Sequence, residues 1–152
     1  MIDLLKKTPP PIYFVACFAV GFVLDILAGG LRAVPSEVSV WLGVSAIAIS
    51  IGLIVPTLVQ FRRAQTPFDV QKAPTALVTT GVFRFSRNPG YVSLSLLYVG
   101  VGVLLNSMTI LAFFLPCFVI VDRLVIPGEE ANLQVSFGEQ YLAYKRRVRR
   151  WI

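Results

Sequence analysis

The sequence predicts an all-α integral membrane protein with four transmembrane helices, both termini on the inner side and the last two helices forming a tight hairpin. Three observations carry this. The chain is 56% hydrophobic and only 14% charged, with a mean hydropathy of +0.75, whereas an ordinary soluble domain carries about 25% charged residues. Its apolar residues gather in four runs, at 12–31, 38–61, 90–105 and 108–126. If successive runs alternate in direction, the N-terminus, the segment 62–89 and the tail share one face, and of the 14 Lys and Arg residues only Arg32 falls on the other. That asymmetry obeys the positive-inside rule and places both termini inside.

Composition also removes several classes of function. The net charge of +6 flanks apolar runs instead of interleaving with a soluble stacking surface, so it argues for membrane sorting and against nucleic acid. There is no histidine, which removes imidazole acid–base work, imidazole metal or haem ligation and a Ser-His-Asp triad. The two cysteines, Cys17 and Cys117, lie deep in apolar runs without metal-ligand spacing and read as packing residues; no metal is expected. At 152 residues the chain is one membrane domain, 1–152, with no room for a separate soluble catalytic domain.

Taken in order, Lys6 and Lys7 precede a first run that is too long for a secretory core and lacks an A-x-A-like exit, so it reads as a retained span. Asp25 sits near the outer end of that run, within reach of the interface. Pro56 in the second run and Pro116 in the fourth are sites for kinks. The segment 62–89 holds prolines and threonines together with apolar patches at 76–78 and 82–83, and is expected to fold over the inner face of the bundle. The third run carries Ser93, Ser95, Gly100 and Gly102, small residues suited to close helix packing, and Asn106-Ser107 alone separates it from the fourth. In the tail, 128–152, Leu133, Phe137, Tyr141, Tyr144, Val148 and Trp151 share one helical face, while Lys145, Arg146, Arg149 and Arg150 lie opposite. Such a helix either rests on anionic lipid or folds back over the third run, and Gly138 is the place for a bend.

Two short stretches can carry chemistry. At Arg87-Asn88-Pro89, Asn88 is an N-cap type and Pro89 suits the first helical position, leaving arginines and free backbone amides at a helix mouth. Glu129-Glu130 follows the fourth run, just past Pro127-Gly128. A hairpin brings the two together, one corner cationic and rich in donors, the other anionic, which complements an α-amino acid zwitterion. The plainer alternative is a solvated acidic pair satisfying a helix N-terminus.

Residues 77–91 (LVTTGVFRFSRNPGY) and 129–151 (EEANLQVSFGEQYLAYKRRVRRW) resemble the isoprenylcysteine carboxyl methyltransferase family and its bacterial, phospholipid methyltransferase-like relatives, over roughly residues 62–152. The resemblance implies a membrane methyltransferase that uses S-adenosylmethionine. The cofactor would be held by Val78, Gly81, Phe83, Arg87, Asn88, Pro89 and Tyr91 on one side and by Glu129 and Glu130 on the other, with Tyr141 and Tyr144 closing the tail as a cytoplasmic lid. Glu130 and Arg149 would be catalytic, with Arg149 near the acceptor. A bacterial inner-membrane location with the site facing the cytoplasm follows, with membrane lipid and a lipophilic small-molecule acceptor as partners. The chain departs from the family pattern where Asn88 replaces a frequent His and Ser93 a frequent Gly, which leaves the acceptor open between a carboxylate and a phospholipid or other amine. A non-enzymatic membrane scaffold with a lipid-docking basic tail is the reading of another class, and a nicotinamide-binding relative of the sterol reductases a third.

Overall fold

The computed structural model describes residues 9–32, 35–66 and 74–152, and its regular structure is helical throughout. Five helices follow one another: α1 (Pro11–Leu27), α2 (Ser36–Arg63), α3 (Pro89–Leu104), α4 (Met108–Ile120) and α5 (Ile126–Arg147). A 3-10 turn, Gly81–Arg84, precedes α3, and a π turn, Val121–Val125, joins α4 to α5. Lys6, Lys7, Pro67 and Lys72 lie outside the described residues.

Backbone chemistry sets the helix ends. Gly29 and Gly30 stop α1 at Leu27, short of the predicted 31, because both adopt left-handed φ values (76° and 73°) and their N–H groups turn back onto Ile26 O and Asp25 O at 3.3 and 3.0 Å. Gln65 and Asn106, also left-handed, close α2 and α3 in the same way. Ser107 then caps α4, its Oγ accepting from Ile110 N at 3.1 Å, and donates to Asp25 Oδ1 at 2.6 Å. Asp25 is therefore bonded at the hairpin between α3 and α4.

The fourth apolar run ends at 126, but the helix does not. Pro127 falls in the first turn of α5, where a missing N–H costs little, and the helix that starts at Met108 runs on past it as far as Gly138. It bends instead at Gly138 (φ 49°, ψ −125°), the predicted position.

α2 and α3 run antiparallel in close contact, because small residues line the seam. Ser50 Oγ donates to Ser93 O at 2.8 Å and Ser93 Oγ to Ser50 O at 2.9 Å, while Gly43 faces Gly100 O and Leu104. α1 lies against α4, where Gly21 meets Ile110 and Phe113. This arrangement gathers the start of α1, the end of α2, the start of α3 and the end of α4 at one end of the bundle.

α2 and the Met108–Arg147 helix are long and apolar enough to cross a membrane; α1 and α3 are apolar but shorter. The 16 residues of α3 rise about 24 Å at ~1.5 Å each, less than a ~30 Å hydrocarbon core. Only 17% of the apolar window of α2 is buried inside the molecule, so this is no core helix of a soluble fold. Its large side chains point outward, Trp41 being 74% exposed.

Candidate active site

At the gathered end of the bundle a cavity of about 970 Å³, including its open mouth, lies between the starts of α1 and α3, the end of α2, the 74–83 segment and α5. The segment reaches it because Thr66 Oγ1 accepts from Thr75 N at 3.1 Å and Thr75 Oγ1 donates to Gln65 O at 2.9 Å, fastening the chain to the end of α2. The apolar face of the tail then packs on it: Tyr141 and Tyr144 cluster with Phe83, Leu77, Val78 and Phe61. The tail helix therefore spends its apolar face on protein and not on lipid.

The start of α3 is bound to the C-terminal segment. Arg87 N donates to Arg149 O at 3.0 Å, and Arg150 O accepts from Asn88 Nδ2 at 3.0 Å and from Ser86 Oγ at 3.3 Å. Asn88 occupies the N-cap position, but its side chain caps nothing. The N–H groups of Tyr91 and Val92 return to Asn88 O at 3.0 and 3.1 Å. The donors at this mouth come instead from Arg87, whose side chain is 10% exposed and whose Nε and Nη1 are buried without a hydrogen-bond partner.

The two adjacent glutamates have opposite environments. Glu130 is buried among three cations, Arg87 Nη2 at 3.2 Å, Lys145 Nζ at 2.9 Å and the Arg150 fork at 3.2 and 3.3 Å. Burial alone would raise its pKa, but the bonds from Arg150 and Lys145 and the charge of Arg87 outweigh it and hold the carboxyl below its ordinary range. Glu129 accepts a hydrogen bond from Tyr91 Oη. Burial, reinforced by the charge of Glu130 and partly offset by the Tyr91 hydroxyl, pushes it up to about 7. Tyr144 donates to Phe83 O at 2.7 Å. Burial drives its hydroxyl and that of Tyr141 upward, the latter to about 12, so neither serves as a base near neutrality.

A model of the phospholipid methyltransferase family matches residues 38–140, about two thirds of the chain. The chain belongs to that family. The match spans α2 to the bend in α5. Among curated proteins, this family member is 40% identical over 76 residues to protein-S-isoprenylcysteine O-methyltransferase B of Arabidopsis thaliana, covering 47% of this chain and 36% of that one. It is also 30% identical over 106 residues to the nickel-cobalt-cadmium resistance protein NccN of Alcaligenes xylosoxydans xylosoxydans, covering 69% and 49%. Among solved structures, a eukaryotic intramembrane Ras methyltransferase, isoprenylcysteine carboxyl methyltransferase, superposes with a TM-score of 0.65 at 24% identity, over 93% of this chain and 51% of that one. That likeness is one of fold. The chain spans about half or less of the length of these relatives.

Of the residues that the resemblance assigns to the cofactor or the chemistry in this phospholipid methyltransferase family member, all line the cavity except Gly81 and Arg149. Gly81 has a left-handed φ of 58°, and a Cβ there would collide with the Gln60 side chain, so its role is to let the 3-10 turn approach α2. Arg149 is exposed and contributes its backbone carbonyl to the site. The arginine whose side chain pairs with Glu130 and Asp122 is the neighbouring Arg150. Asp122, bonded to Arg150 and Trp151, went unnoticed in the sequence, although an ionisable residue within the fourth apolar run is a signal in itself. Among the described residues no group of His, Cys, Asp and Glu is arranged to hold a metal.

Proposed function

We propose that this protein is an integral membrane methyltransferase that binds S-adenosylmethionine in the cavity and methylates a lipophilic acceptor. One observation carries the reading: the cavity wall holds a cation with two donors unpaired among the described residues, Arg87, and a carboxylate bound among them only through the Tyr91 hydroxyl, Glu129. Unpaired buried donors are costly unless something accepts from them, and the two signs match the carboxylate and ammonium of an amino acid moiety. This assigns the ammonium to Glu129, since Glu130 is committed to three cations.

The residues fit the cofactor in this sense: Arg87 takes the carboxylate, Glu129 the ammonium, and the apolar side chains of Phe61, Leu77, Val78, Leu94 and Leu133 take the uncharged remainder and the acceptor's apolar part. The bound cofactor supplies an electrophilic methyl group on a sulfonium. The protein then contributes alignment, worth about 7–11 kcal/mol when two reactants are held in line, with α5 forming one wall of the cavity. Glu130, held ionised, does not take up a proton near neutrality. A carboxylate acceptor needs no base, which favours an acceptor like that named for the Arabidopsis relative. A phospholipid amine, the second reading, draws on the description of the matching family and would have to lose a proton before attacking. The burial of the tail's apolar face on the protein removes the main support for a lipid-docking scaffold.

Four spans, both termini inside and a cytoplasmic site belong to the same proposal, supported by the outward apolar side chains and by Arg62, Arg63, Arg84 and Arg87 at the cavity end of the bundle. Calorimetry on purified protein tests the cofactor. Binding of S-adenosylmethionine is expected, and Arg87→Ala and Glu129→Gln should each weaken it at least tenfold, ~1.4 kcal/mol. Folded protein that binds none would end the reading.

A further inference from the structure

Asp122 lines no part of the cavity, yet a chain of bonds leads from it to Arg87. It sits on the π turn, where Ile126 N bonds Val121 O and Pro127, one residue on, has no N–H to offer. The Asp122 carbonyl is therefore left without a helical donor, and Arg150 Nη1 supplies one at 3.3 Å while also reaching Asp122 Oδ1 at 3.2 Å. Trp151 Nε1 donates to the same Oδ1 at 2.9 Å, and its ring stacks on Phe118 at 4.7 Å. The other edge of the Arg150 guanidinium grips Glu130, Nε to Oε1 at 3.2 Å and Nη2 to Oε2 at 3.3 Å. Glu130 Oε1 is also the atom that Arg87 Nη2 meets at 3.2 Å. A guanidinium is planar and rigid, so two carboxylates bound to its two edges fix each other's positions.

We propose that Asp122 is a positioning residue: through Arg150 and Glu130 it sets the orientation of the Arg87 guanidinium at the cavity wall, and with it the affinity for a ligand carboxylate. The inference rests on the cofactor reading above and adds to it a residue outside the cavity. Lys145 holds Glu130 from α5 itself at 2.9 Å, but only at Oε2, and a single ammonium bond leaves the carboxylate free to rotate. Asp122 supplies the remaining constraint.

The test compares two cationic ligands that differ in one group, S-adenosylmethionine and its decarboxylated analogue, by calorimetry on the full chain. A Trp41→Phe background leaves Trp151 as the sole indole of the two in the sequence, so its emission reports whether the tail is seated. Asp122→Asn can still accept from Trp151 but loses its charge toward Arg150. With emission unchanged, it is expected to weaken S-adenosylmethionine about tenfold and leave the decarboxylated analogue unaffected. An equal loss for both ligands, or none for either, overturns the proposal while leaving the cofactor reading intact. Wild-type protein that binds neither ligand overturns both. Should Asp122→Asn release Trp151, Arg150→Lys, which keeps the charge without the fork, must show the same selective loss.

Discussion

Glu129 and Glu130 are identical in type and adjacent in sequence, yet they take opposite protonation behaviour because helical geometry points them at different neighbours. Glu129 is pushed up from the ordinary 4.5 to about 7. Between those values the folded protein holds a proton that the unfolded chain has released, so this group makes stability fall as pH rises through the window. Ligand-free Glu129→Gln should therefore melt with the wild type near pH 4.5 and above it at pH 8; parallel melting profiles would contradict the assignment. Glu130 works the other way: its depressed pKa contributes stability that is lost as the pH falls below the ordinary range. Affinity for a cationic ligand should also rise as the pH passes about 7 and Glu129 ionises. Sequence placed both carboxylates at the site but could not divide their roles, because the three cations around Glu130 come from positions 87, 145 and 150.

At the level of elements, two glycines carry consequences that a sequence pattern only hints at. Gly43 faces backbone: a Cβ there would lie 2.8 Å from Gly100 O and from Leu104 N, whereas one at Gly52 in the same helix meets nothing within 4 Å. Gly43→Ala should destabilise the α2–α3 pair by about 1–3 kcal/mol and Gly52→Ala should not, as read from thermal unfolding in detergent. Gly138 poses a different case. Its Cβ would find open space, so the cost of Gly138→Ala is only that of the left-handed backbone, about 1–3 kcal/mol. Straightening α5 relieves that strain and draws Tyr141 and Tyr144 away from Phe83. Weaker cofactor binding with the α2–α3 pair intact is expected, and unaltered binding would show that the bend does not matter to the cavity.

At the level of the molecule, the apolar exterior and the basic cavity end demand opposite solvents. α2 turns Trp41, Leu42 and Ile49 outward, while Arg62 and Arg63 close its other end. A single cysteine at Arg84 should be labelled by an impermeant thiol reagent only from the inner side, and one at Glu37 only from the outer side, with Cys17 and Cys117 replaced by alanine. Labelling of both from one side would break the proposed orientation. The fastening of residues 149–150 onto the start of α3 also predicts that tail and cavity unfold together, since Arg87, Ser86 and Asn88 all bond that backbone.

Helix content, apolar runs, the hairpin at Asn106-Ser107 and the bend at Gly138 were legible in the sequence, because each rests on local chemistry: burial of apolar length, left-handed turns, Pro at a first helical position. Most of the residues around the cavity were legible only through the resemblance of residues 77–91 and 129–151 to a known family. Tertiary structure alone decided which partners those residues meet. It turned Asn88 from a helix cap into an anchor for Arg150, enclosed Glu130 among three cations and left Glu129 on the cavity wall. It carried the helix through Pro127, and it brought Asp122 into contact with Arg150. Charged and polar side chains are satisfied by whatever the fold brings within about 3 Å, and a one-dimensional pattern holds no record of those distances.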